Sequence, residues 1–134
     1  MNARTKGAVT EYKIICQLLE LGFSVSIPAI DVEDYDLIIE LENKFMTVQC
    51  KTLNYREGRG ALRANLENHN HEKYDPKRVH AFMFYSEKTD KVYWEQNAGQ
   101  STAYLSLSEG SDKYHKSFIL GQNFLKFFED TVGL

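Results

Sequence analysis

Residues 35–51 read Tyr35-Asp36-Leu37-Ile38-Ile39-Glu40-Leu41-Glu42-Asn43-Lys44-Phe45-Met46-Thr47-Val48-Gln49-Cys50-Lys51, two runs rich in β-branched and aromatic residues around the pair Glu42-Asn43. Such flanks suit pleated strands, and a two-residue interval suits a tight hairpin turn. With that turn, Leu41 faces Lys44, and the pairing runs on through Ile39 with Met46 and Leu37 with Val48 to Asp36 with Gln49. Alternation along each strand sends Leu37, Ile39, Met46, Val48 and Cys50 to one face, a suitable core. Asp36, Gln49 and Lys51 go to the other face, together at one end of the hairpin. A bulge or an odd-length loop would break this register.

Chemistry gives the trio a purpose. Phosphodiester hydrolysis uses a hard cation held by oxygen ligands, usually Mg²⁺ with several waters retained. Asp36 is the candidate fixed ligand and Gln49 offers a side-chain carbonyl. Lys51 carries a positive charge that can stabilise the pentavalent transition state. Glu11 is the candidate fourth member. It shares a helical stripe with Ile15, Leu18 and Gly22, where a carboxylate is costly unless paired or coordinated. The competing reading leaves Glu11 at the edge of that stripe, in water near the helix start.

Working outward, residues 7–21 carry a helical apolar period, with Thr5 as candidate cap and Gly22 as stop. Alternating Phe23, Val25 and Ile27 predict a short strand. Further strands are expected over residues 79–85, 91–95 and 103–107, and a closing amphipathic helix over 122–132. Repeats and linkers are absent from the sequence, so residues 1–134 read as a single domain of α/β (α+β) class. The Gly-rich interval 56–60 predicts a loop or the tip of an extended ribbon.

Net charge is −3 over 134 residues, which argues against a protein that coats nucleic acid non-specifically. The distribution says more. Asp31, Glu33, Asp34, Asp36, Glu40 and Glu42 fall between residues 29 and 42 without a Lys or Arg. Residues 51–78 hold seven bases against four acids. Acids that concentrate a cation beside bases that meet a phosphate backbone suit a metal-dependent nuclease, although a mixed surface gives the same count. Tyr55, Arg56, Arg59 and Arg63 follow the hairpin directly, so residues 55–68 form a candidate DNA-reading loop or ribbon. Lys6 and Lys13 flank Glu11 and are candidate phosphate contacts. His69 and His71 have poor ligand spacing. Cys16 and Cys50 sit in apolar patterns that read as buried. The N-terminal residues lack the apolar core of a signal peptide and no stretch is long enough to span a membrane, so an intracellular protein is expected.

An early helix with Glu11, then Tyr35-Asp36-Leu37-Ile38-Ile39, then Val48-Gln49-Cys50-Lys51, resembles the PD-(D/E)XK nuclease superfamily. The resemblance is closest to the small branch that includes the group I intron-encoded homing endonuclease of cyanobacteria, and more distant to archaeal Holliday-junction resolvases. It implies a restriction-endonuclease-like fold, a central mixed sheet flanked by helices. It also implies Mg²⁺-dependent cleavage of double-stranded DNA, with Mn²⁺ a possible substitute, by a homodimer or homotetramer. By motif matching, Asp36 takes the metal-binding Asp position, Gln49 the (D/E) position, Lys51 the catalytic Lys position and Glu11 the helix carboxylate. Tyr35 stands in place of the nominal Pro. Gln49 replaces an acid and removes one negative charge from the site. The expected function is a sequence-specific, homing-type DNA endonuclease. The alternatives are a junction resolvase, a non-catalytic DNA-binding or assembly module with a decayed site, and an unrelated α/β protein that matches a short motif by chance.

Overall fold

The structure is a computed structural model that describes residues 1–30 and 34–134. Asp31 and Glu33 of the acidic run lie outside the described residues. Helix α1 (Ala3–Glu20) is followed by strands β1 (Ser24–Ser26), β2 (Leu37–Leu41), β3 (Lys44–Arg56), β4 (Ala61–Asn65), β5 (Ala81–Ser86), β6 (Lys91–Gln96) and β7 (Thr102–Ser106). A 3₁₀ turn at His115–Phe118 then leads into α2 (Gln122–Val132). Helix α1 starts four residues before the sequence expectation. Its cap is Asn2, whose side chain accepts the Thr5 N–H, and Thr5 lies inside the helix. Gly22, at φ 97°, supplies the left-handed exit.

The hairpin forms as read from the sequence. Glu42 and Asn43 take φ of 50° and 64°, the all-positive turn that matches strand twist, and Leu41 pairs with Lys44. The same register runs to Leu37 opposite Val48. On its other side β3 pairs with β5 in parallel, from Val48–Ala81 to Leu53–Ser86. The far end of β3 turns back into β4, Asn54 opposite Arg63, and β4 pairs with β7. The seven strands thus form one mixed sheet. Strand β4 lies inside the segment expected as a loop or ribbon, so residues 55–65 are a ribbon with its tip at 57–60.

Alternation along β5 divides the core. Ala81, Met83 and Tyr85 join Leu37, Ile39, Met46 and Val48 beneath Ile14 and Leu18 of α1 and Phe124 and Phe128 of α2. Both helices therefore cover the same face. Phe82 and Phe84 point the other way, into a second cluster with Leu53, Leu62, Tyr74, Tyr93 and Leu105, which β4, β7 and the 66–79 connection enclose. Trp94 and Phe127 pack against Phe124 in the first cluster, consistent with a core role for the C-terminal aromatics. Cys50 is half-buried, whereas Cys16 is exposed at Glu20, contrary to the burial its apolar neighbours suggested. Two residues on from Ile14, Cys16 lies about 200° round the helix and so points to water while Ile14 is buried.

Candidate active site and nucleic-acid face

At the base of the hairpin the regular ladder ends. The Asp36 N–H donates to Val48 O at 2.9 Å, although Leu37 is already the register partner of Val48. Two residues facing one is the arrangement of a β-bulge, and it turns the chain away from β3. Asp36 therefore does not form the expected ladder pair with Gln49. Its carboxylate instead reaches one residue further, where Oδ2 accepts the Cys50 N–H at 2.9 Å. Among the described residues, Gln49–Leu53 have only β5 as a strand neighbour. The Asp36 side chain thus supplies the acceptor that a departing strand no longer offers. A backbone N–H on a carboxylate is a strong, directional contact, and it fixes this carboxylate in place.

Glu11 approaches from α1. The helix is seated over the far half of β3 by Thr10, whose hydroxyl lies 2.7 Å from that of Thr52, and by Lys6, whose Nζ donates to Asn54 Oδ1 at 3.2 Å. Glu11 and Asp36 line one cleft of about 280 Å³, with Tyr35, Ile27, Pro28 and Ile30 around it. Burial pushes the Cys50 thiol well up, and the charges of Asp36 and Glu11 add to that. Both carboxylates therefore lie within electrostatic reach of Cys50, and Asp36 also accepts its N–H. Gln49 and Lys51 are not among the cleft's lining residues; in the β3–β5 register they share a face with Phe82 and Phe84.

Lys51 is half-buried. Burial lowers its pKa and the Asp36 charge opposes that shift, so Asp36 lies within electrostatic reach of both the cleft and Lys51. The Lys51 ammonium sits 5.2 Å from the centre of the Tyr74 ring. Tyr74 itself is buried, and its phenol is raised by burial and then by Asp36 and Asp34. Nothing local in Tyr74-Asp75-Pro76 advertises this neighbour. The contact joins residues more than twenty positions apart, so sequence reading missed it. Arg78 pairs with Asp34 at 3.1 Å nearby.

The donor chemistry suits a hard divalent cation. Glu11 and Asp36 bring carboxylate oxygens and Gln49 a neutral carbonyl oxygen, a set that fits an ion retaining several waters. Among the described residues no group of three or more His, Cys, Asp or Glu converges. His69 and His71 sit exposed in the turn that precedes the Glu67–Lys73 bridge's close.

The structure sorts the candidate DNA contacts onto different surfaces. Asn54 faces Arg63, Arg63 faces Tyr104, Arg56 faces Ala61 and Asn65 faces Thr102. Paired residues share a face, so Asn54, Arg56, Arg63, Asn65 and Tyr104 form one polar platform, with Lys6 at its margin. Tyr104 is 42% exposed and was not anticipated. Tyr55 projects from the other face, under the Lys88 ammonium at 4.4 Å. Arg59 is exposed in the ribbon tip. Lys13 faces away, 3.8 Å from Asp90 and above the Tyr85 ring.

A family model described as PD-(D/E)XK endonuclease matches residues 1–126. Among solved structures, a bacterial homing endonuclease superimposes with a TM-score of 0.77 over 97% of this chain and 96% of that one, at 17% identity. That likeness carries the fold. No curated protein is detectably similar in sequence.

Proposed function

The chain belongs to the PD-(D/E)XK endonuclease family, and from that premise we propose that it hydrolyses phosphodiester bonds in double-stranded DNA with the help of a divalent cation. The observation that carries this reading is the Asp36 carboxylate on the Cys50 N–H, at the open edge of β3, sharing a cleft with Glu11. Asp36, Glu11 and the Gln49 carbonyl would hold Mg²⁺, with Mn²⁺ as a substitute. Such a cation, when bound, supplies Lewis-acid polarisation of the phosphate and makes water more acidic. Lys51 places its charge where negative charge builds up on the phosphoryl oxygens in the transition state. The amide clamp keeps the Asp36 oxygens from reorienting during the step. With Gln49 neutral, the site carries one charge fewer than an acidic version, which favours weaker cation affinity and a need for millimolar Mg²⁺.

DNA is read, in this proposal, by the platform of Arg56, Arg63, Asn65 and Tyr104, with Lys6 and Arg59 on phosphates. Tyr55 and Lys13 are the weaker candidates, because each already faces an internal partner. A duplex with two cut strands is matched best by an even-numbered assembly of the chain, a homodimer or homotetramer. Among the described residues no helix is long and apolar enough to cross a membrane. Likeness in fold to a bacterial homing endonuclease supports a homing-type role, and with it a sequence-specific one. Incubation with a pool of long linear duplexes and four-way junctions, in Mg²⁺ or EDTA, tests it. Discrete linear fragments only with Mg²⁺ are expected. Preferential junction cutting would indicate a resolvase, and binding without cutting in any metal would indicate a non-catalytic module.

A further inference from the structure

Tyr74 occupies the 66–79 connection between β4 and β5, where regular hydrogen bonding gives a side chain little support. Even so it is only 8% exposed, and its position is fixed from two directions. Asn97, 3% exposed, spends both amide hydrogens on this connection, one on Tyr74 O at 3.1 Å and one on Val79 O at 2.9 Å. The Asn97 backbone N–H is itself tied to His80 O. From below, Phe82 meets the Tyr74 ring edge to face, with centroids 5.8 Å apart at 71°. Phe82 is the strand partner of Gln49, and Phe84 is the partner of Lys51. The ring is thus held by the strand that flanks the proposed catalytic residues.

A lysine has a long, flexible stem whose ordering costs about 2 kcal/mol of rotamer entropy. Among the described residues no hydrogen bond or ion pair restrains Lys51; its ammonium meets the face of Tyr74. An aromatic face within about 6 Å attracts a cation and tolerates its partial desolvation. We propose that Tyr74 is a positioning residue for Lys51, its ring a fixed shelf that holds the ammonium beside the β3 edge. This rests on the reading of Lys51 given above. The ring, not the hydroxyl, does the holding.

The test compares Tyr74→Phe and Tyr74→Leu with wild type in saturating Mg²⁺ and DNA. Tyr74→Phe should keep kcat within roughly threefold. Tyr74→Leu, assayed well below a Tm lowered by loss of the buried ring, should lose roughly tenfold or more in kcat with KM for DNA little changed, the size expected for a partly desolvated cation–π contact. Equal losses in both variants, or full activity in Tyr74→Leu, would overturn the inference. A readout independent of turnover is the Lys51 side-chain NMR resonance. Ring-current shielding should move its ε-methylene protons upfield in wild type and Tyr74→Phe. If Tyr74→Leu fails to fold, an unshifted wild-type resonance overturns the inference by itself. Failure of the nuclease reading looks different: wild type would cut nothing, or Lys51→Ala would cut as well as wild type. Either result removes the reason for a shelf even if the upfield shift is present.

Discussion

Asp36→Asn separates holding the chain from holding a cation. Asp36 Oδ2 accepts the Cys50 N–H at 2.9 Å. A hydrogen bond to a charged acceptor contributes about 1.5–3 kcal/mol, and a neutral one about 1 kcal/mol. Asparagine keeps an oxygen at that position, so it forfeits only the charge assistance, about 1 kcal/mol. Against this, Glu11 lines the same cleft, so removing one of two neighbouring carboxylates relieves repulsion, while the attraction between Asp36 and Lys51 is lost. These two charge effects oppose each other and leave the lost charge assistance, so the variant without metal should unfold within about 1 kcal/mol of wild type, roughly 3–5 °C for a chain of this size. Asp36→Ala has no acceptor for the edge amide and should lose about 1–3 kcal/mol. Mg²⁺ at a hundred times its dissociation constant should stabilise wild type by about 2.7 kcal/mol. The Asn variant should gain almost none of that and should not cleave DNA. Thermal unfolding with EDTA or Mg²⁺, run beside a cleavage assay, reads all three quantities. An Asp36→Asn protein that still gains stability from Mg²⁺ and still cuts would refute the assignment of Asp36.

Further expectations concern the turn, the DNA face and pH. Glu42 and Asn43 both sit at positive φ, so Glu42→Asn with Asn43→Gly should stabilise the chain by about 1 kcal/mol; a lower Tm would contradict the turn geometry. Arg63→Ala should weaken DNA binding and reduce the slope of log K against log salt by about 0.9, whereas Lys13→Ala should leave the slope unchanged. Burial lowers the His80 pKa below 6.5, and Nδ1 accepts the Thr47 N–H at 3.0 Å. The unfolded chain therefore binds a proton first. Stability contributed by neutral His80 is present above pH 6.5 and is lost as pH falls from there through the lowered folded value. His80→Asn, which keeps an acceptor without titrating, should show a flatter Tm between pH 7 and 5 than wild type; parallel curves would count against this.

Much of the fold was legible because the decisive information was local. Glu42-Asn43 between two β-rich runs specified the hairpin and its register, and Gly22 marked the end of α1. Leu62 and Ala64 alternate with Arg63 and Asn65, a period that could have identified β4, but weak β-formers beside Gly58 and Gly60 masked it. The site was legible in its residue types and less so in its geometry. Leu37–Val48 pairing follows from the turn, but the bulge at Asp36 depends on where the preceding chain and α1 need the strand to leave. Nor could sequence place Glu11 in the Asp36 cleft, because spacing alone left it between cleft and solvent. Tyr74 over Lys51 and Tyr104 beside Arg63 are products of long-range pairing, of β3 with β5 and of β4 with β7.

The most direct test of the central claim is the cleavage of a pooled long-DNA substrate by wild type and Lys51→Ala, each in Mg²⁺ and in EDTA. Metal-dependent cutting by wild type that falls at least roughly a hundredfold in Lys51→Ala, with DNA binding retained, is the result predicted for a transition-state charge at this position. Cutting that survives both EDTA and the substitution would contradict the account.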